Sequence, residues 1–152
     1  MKKLFAVAAL VCCFGLVAYA DETMMGTRAD VKAMVQKAVV YYQTADSATA
    51  LKTFSDRRQK WFHDRDLYVE VVDMTGRCLA NGDDQLLIGM NLMELRDVDG
   101  FHFVADRIRI ATVAGFGTQS YKWYNPVSGR IEEKIAYFEK TGNIIISCGA
   151  SR

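Results

Sequence analysis

Residues 118–149 read TQSYKWYNPVSGRIEEKIAYFEKTGNIIISCG, and this stretch decides the architecture. Two turns punctuate it. Asn125-Pro126-Val127-Ser128-Gly129 joins a residue of fixed φ to one that tolerates positive φ, and Thr141-Gly142-Asn143 is a tight reversal. The segments between are rich in aromatic and β-branched residues: Thr118 to Tyr124, Ile131 to Glu139, and the apolar Ile144 to Gly149. Three strands joined by two short reversals form an antiparallel meander.

Working outward, Leu67 to Asp73 has strand chemistry, Asp73-Met74-Thr75-Gly76 is a turn, and Arg77 to Ala80 pairs back as a short second strand. Asn81 to Gly89 is polar and contains glycine, so it reads as a loop. Asn91 to Leu95 reads as one helical turn. Asp97 to Gly100 is a turn leading into a helix from Phe101 to Val113, with Val104, Ile108 and Ala111 at helical spacing and Gly115 and Gly117 stopping it. Nearer the N-terminus, Asp30 is the expected cap of a helix carrying Val31, Met34, Val35, Ala38, Val39 and Tyr42, and a short helical piece spans Ser47 to Phe54. Helix, hairpin, helices and meander in that order define an α+β fold on an antiparallel sheet.

The first twenty residues read as a cleavable signal peptide. Lys2 and Lys3 precede the uncharged run Leu4 to Ala18, and Ala18-Tyr19-Ala20 offers small residues at the cleavage positions, so the cut is expected after Ala20. The run falls short of the roughly 20 apolar residues of a permanent span. Residues 21–152 then form one domain, periplasmic or secreted. Without Lys2 and Lys3, 17 basic residues face 18 acidic ones, and no basic stripe exists for nucleic acid. Cys12 and Cys13 leave with the signal. Cys78 and Cys148 either form a disulfide or are two small buried residues on different strands, and their isolation argues against a metal site.

Enzyme signatures are missing. Gly115-Phe116-Gly117 precedes a strand rather than a helix, no G-x-S-x-G elbow occurs, and the only histidines, His63 and His102, sit on separate elements. Asp97 and Asp99 make too short a set for a calcium loop and read as a polar turn. No Cys-x-x-Cys-His run for haem is present, and no cofactor is expected. A binding chemistry is more visible. Tyr121 and Trp123 share one strand face, with Lys122 and Tyr124 on the other, and Lys134, Tyr137 and Phe138 follow on the next strand. A cation for charge, hydroxyls for orientation and rings that exclude water suit a small anion. Aromatic rings also hold ammonium groups, which leaves an amine or amino acid as the alternative.

Four stretches together carry a resemblance: LYVEVVDMTGRCLA at 67–80, IGMNLMELRD at 88–97, YKWYNPVSGR at 121–130 and KIAYF at 134–138. In order and spacing they resemble the single Cache domain, the PAS-like extracytoplasmic sensor module of bacterial receptors, over nearly all of residues 31–148. The resemblance implies a five-stranded antiparallel sheet with a long N-terminal helix behind it and a pocket between the sheet and the segment before the meander. It implies a short organic acid, or in other members an amino acid or amine, as ligand. Tyr121, Trp123, Lys134 and Tyr137 become pocket candidates, and His102, Phe103, Met90 and Leu92 candidates for the lid side. It also implies that the first strand separates those carrying Cys78 and Cys148, which argues against a bridge unless the strand ends splay. The chain stops at Arg152, so the expectation is a stand-alone binding module that acts on a membrane receptor or another signalling protein. The competing expectation is an interaction module with a vestigial pocket, dimerising through Met34, Ala38 and Tyr42 of the N-terminal helix.

Overall fold

The start of the first helix is fixed by two residues, Thr27 and Asp30. The Thr27 hydroxyl accepts from the Asp30 N–H, and the Asp30 carboxylate accepts from the Thr27 N–H, a reciprocal capping box. Thr27, not Asp30, is therefore the cap. In the computed structural model, which describes residues 25–152, α1 runs Arg28–Thr44; the expected signal peptide lies outside the described residues. Val31, Met34, Val35 and Ala38 form its buried stripe. That stripe is used against the chain's own sheet, with Met34 7% and Ala38 0% exposed. Met34 and Ala38, expected at a dimer interface, are therefore spent inside the domain, while Tyr42 of the same helix stays half-buried. α2, Ser47–Phe54, is capped by the Asp46 carboxylate accepting from Thr49 N at 3.0 Å.

The stretch expected as one strand from Leu67 is two. β1, His63–Asp64, pairs with β2, Leu67–Tyr68, and β3 is Glu70–Asp73. The break falls at Val69, whose N–H donates to the Phe62 carbonyl and whose carbonyl accepts from Gly82 N. The Asp73 carboxylate gathers Thr75 N and Arg77 N in the following turn, Gly76 takes φ +85°, and β4, Cys78–Asn81, returns. Asn91 to Leu95 is not helical. Gly89 N donates to the Cys78 carbonyl and Leu92 N to the Gly76 carbonyl, so this segment satisfies its backbone along the outer edge of β4. The loop before it holds a single 3-10 turn, Gln85–Leu87.

α3, Phe103–Ala114, ends at Gly115 with φ +79°. The meander follows as β5, Phe116–Asn125, β6, Arg130–Thr141, and β7, Ile144–Ser151. The five-stranded sheet has the order β4-β3-β7-β6-β5, every neighbouring pair antiparallel. Strand alternation divides its side chains between two layers. Val71, Ile144, Ile146 and Cys148 pack toward α1. Val72, Cys78, Ala136, Phe138 and Ile145 pack toward α3.

The two thiols are thus on opposite sheet faces with β3 between their strands, and both are free and buried. The disulfide is corrected on that geometry. Burial pushes each thiol pKa up to about 12.

Asp66 closes the structure. Its fully buried carboxylate accepts from Gly26 N at 2.6 Å and from Ser151 N at 2.6 Å, joining the approach to α1 to the end of β7. Asp66→Ala would leave both donors unpaired and should lower stability by about 2–4 kcal/mol, read as a lower urea midpoint at unchanged slope. A loss within experimental error would show that solvent replaces the carboxylate.

Candidate ligand-binding site

Tyr121 of β5 lies directly across from Lys134 of β6, and Glu70 of β3 from Ser147 of β7. Alternation therefore brings Tyr121, Trp123, Lys134, Glu70 and Ser147 to the sheet face beneath α3. The first turn of α3 supplies Phe103, whose ring stacks on Tyr121 at 4.4 Å and 7° and meets Trp123 edge-on at 5.2 Å.

Lys134 is the unusual member. Its side chain is 1% exposed, and its Nζ stands 4.5 Å from the Tyr68 ring centre without a hydrogen-bond acceptor. Burial lowers its pKa, and Asp66 is the largest influence opposing the shift. The ring face offsets part of the lost hydration, but ammonium donors in a dry setting favour an acceptor.

A second cation is buried beside it. Arg107 of α3 donates through Nη1 to Glu70 Oε2 at 2.5 Å and to Ser147 Oγ at 2.9 Å. Phe103, Tyr121 and Phe138 surround its guanidinium at 5.8–5.9 Å. Its Nε and Nη2 have no partner.

Two small cavities of about 10 Å³ each meet at Tyr68, Glu70 and Tyr121. One extends to Lys134, Ser147 and Gly149, the other to Asn81, Leu87, Leu95, Phe103 and Trp123. Each is the size of one water, so the chamber is closed in this conformation. Asp97 pins the cover: its Oδ1 accepts from Asp99 N and Phe101 N, and its Oδ2 from Lys122 N of β5. The acidic pair Asp97 and Asp99 therefore forms a polar turn, Asp99 pairing with Lys122 Nζ at 2.8 Å. Among the described residues no group of three or more His, Cys, Asp or Glu is placed to hold a metal.

Tyr121, Trp123, Lys134, Phe103 and Leu92 converge on this α3-side layer. Tyr137 does not. Three residues from Lys134, it points to the α1 side, where its hydroxyl donates to Glu139 Oε1 at 2.6 Å. Met90 pairs through its carbonyl with Cys78 N while its residue stays 53% exposed, outside the chamber. His102 precedes α3 without capping it by its side chain; its ring Nδ1 lies 3.3 Å from the Met93 carbonyl, at the rim. Arg107, Glu70, Tyr68 and Ser147 were not among the expected site residues. The signal for Arg107 lay in its spacing, four residues after Phe103 and four before Ala111, on the apolar face of α3.

A sheet backed by a long helix, with cations and rings sealed on the other face, is the architecture of a sensory ligand-binding module. The chain belongs to the single Cache domain 2 family, whose model matches residues 16–151. Such domains are extracytoplasmic sensor modules that bind small ligands; they are not catalysts. A 73-residue stretch is 33% identical to the sensor histidine kinase MctS of Rhizobium johnstonii, covering 48% of this chain and 16% of that protein. The chain thus spans only 16% of the length of that curated relative. Among solved structures, a methyl-accepting chemotaxis protein from Vibrio parahaemolyticus matches with TM-score 0.68 at 19% identity, over 81% of this chain and 86% of that one. A Cache chemosensory domain described for carboxylic acid recognition gives 0.68 at 19%, over 80% and 90%. The periplasmic sensor domain of a chemotaxis protein gives 0.63 at 21%, over 79% and 86%. Among the described residues no helix is long and apolar enough to cross a membrane.

The isolated ammonium has a consequence for stability. With the folded pKa below the unfolded one, the unfolded chain binds more protons between the two values, and stability rises with pH across that window. Lys134→Met removes this titration and should stabilise the ligand-free protein by about 1–3 kcal/mol at neutral pH. The advantage should shrink as pH rises toward the ordinary lysine value of 10.5. Urea midpoints of both proteins at neutral and alkaline pH measure it. A variant less stable than wild type would mean that the ammonium is satisfied where it stands.

Proposed function

We propose that this domain is an exported sensor for a short organic carboxylate, which sits against Lys134 between Tyr68, Tyr121 and Ser147. The observation that carries the reading is the sealed Lys134 ammonium without an acceptor. A carboxylate supplies both the missing charge and the missing acceptors, and such charge-assisted bonds are among the strongest available in a low-dielectric chamber. Gly149 lines the same small cavity as Lys134 and Ser147 and leaves its floor without a side chain. The aromatic and leucine lobe beyond Tyr121 suits a short apolar tail. The same fold serves a Cache chemosensory domain described for carboxylic acid recognition.

An amine or amino acid fits less well. Glu70 is the carboxylate on the chamber wall, and Arg107 and Ser147 already engage it. An ammonium would also face Lys134. Removal of residues 1–20 leaves the domain outside the cytoplasm, where a membrane receptor or another signalling protein reads the liganded state. No reaction is needed for this role.

A thermal-shift series with acetate, propionate, lactate and pyruvate, against matched amines, tests the reading. At hundredfold saturation one acid should raise Tm by roughly 8–12 °C. Lys134→Met should abolish the shift and Tyr137→Phe should keep it. Equal shifts in wild type and Lys134→Met would remove the anion assignment.

A further inference from the structure

A recess larger than the Lys134 chamber exists among the described residues. It lies on the opposite sheet face, between the first turns of α1 and strands β5 and β6, with a volume of about 490 Å³. That is within the usual range of roughly 300–1,000 Å³ for small-molecule sites. We propose that this groove is a second binding site, for an organic anion with an apolar body too large for the closed chamber.

Its charge comes from Arg28 and Lys32. They stand one helical turn apart on the same side of α1, both line the groove, and neither forms an ion pair among the described residues. Cations in the first turns of a helix oppose the positive end of its dipole. Asp30, the acidic residue of that turn, is occupied by the Thr27 N–H and by Arg65. Both cations are exposed, and the start of the helix offers them no compensation, so they remain available to an anion.

The rest of the lining fits an amphiphile. Val31 and Ile135 supply an apolar floor. Lys32 Nζ stands 5.7 Å from the centre of the Tyr137 ring, and the Tyr137 hydroxyl is engaged by Glu139, so this residue offers its ring face. Thr118 and Ser120, alternate residues of β5, add hydroxyl donors on the far wall. A carboxylate or sulfonate head meets Arg28 and Lys32, and an alkyl or aryl body lies over Val31, Ile135 and Tyr137. The walls are one helix and two paired strands, so the groove is preformed. Strand alternation puts Tyr137 on this face, and the groove's reading is independent of what Lys134 binds.

Octanoate is a suitable probe, titrated into purified protein and followed by amide NMR shifts. Saturable shifts should appear at Arg28, Lys32, Thr118, Ser120 and Tyr137, while Phe103, Tyr121 and Lys134 stay unmoved. The double variant Arg28→Gln, Lys32→Gln should weaken binding by about tenfold, whereas Lys134→Met should leave it unchanged. Acetate, lacking the apolar body, should not shift these residues. The proposal is overturned by shifts centred on Lys134, by no saturation, or by binding that survives the double variant. It is equally overturned if a second copy protects the groove in solution and excludes octanoate.

Discussion

Everything on the α3 side of the sheet is arranged around one uncomfortable fact, a lysine ammonium held out of water without an acceptor. A chain that placed Lys134 one position earlier or later would put it on the α1 side of β6, away from the chamber. Its present position buries it against Tyr68 beneath the layer that includes Phe103 and Leu92. Such a charge is expensive at rest, and stability alone would favour a methionine or leucine there. Arg107 is handled differently: Glu70 and Ser147 hold one of its nitrogens, and three rings sandwich the guanidinium. Arg107 keeps a carboxylate on one nitrogen although its Nε and Nη2 lack partners, whereas Lys134 has no acceptor at all. That contrast singles out Lys134.

The fold makes the contrast possible by giving β6 two faces with different neighbours. Ala136 and Phe138 continue the α3 layer, while Ile135 and Tyr137 look toward α1. Because β6 lies between β5 and β7, a side chain at position 134 is flanked by strands on both sides and cannot reach solvent along the sheet. The outer edge of β4 is closed by the Gly89 to Leu92 segment. The outer edge of β5 is closed in part by Asp97, which takes the Lys122 N–H.

The meander, the α+β class and the α2 boundaries were legible because turn chemistry and apolar spacing are local signals. Pro126 with Gly129, and Gly142, mark reversals wherever they occur, and Asp46 caps Ser47–Phe54 within one turn. What was not legible depended on partners far along the chain. Asn91 to Leu95 has a helix-compatible composition but takes its hydrogen bonds from β4, a tertiary choice that outweighs propensity. Val69 interrupts a strand because Phe62 and Gly82 claim its backbone. Strict period-two counting along β6 would have separated Tyr137 from Lys134, and helical counting along α3 would have found Arg107. Glu70 could be read as inward-facing by the same parity as Val72, yet its partner Arg107 lies 37 residues away, beyond any pattern. The family resemblance, in contrast, rested on order and spacing over the whole chain, which is why it survived the errors in individual side chains.

The chamber is also tied to both ends of the described domain through one carboxylate. After burial, Asp66 is the largest influence on the Lys134 ammonium, and it favours the charge. The same carboxylate holds Gly26 N, at the approach to α1, and Ser151 N, at the end of β7. Ser151 is in turn the strand partner of Lys134. On the carboxylate reading, an anion at Lys134 would add a further negative group to surroundings in which Asp66 already favours the charged ammonium. Two backbone hydrogen bonds to buried Asp66 thus connect the strand partner of Lys134 to the approach to α1.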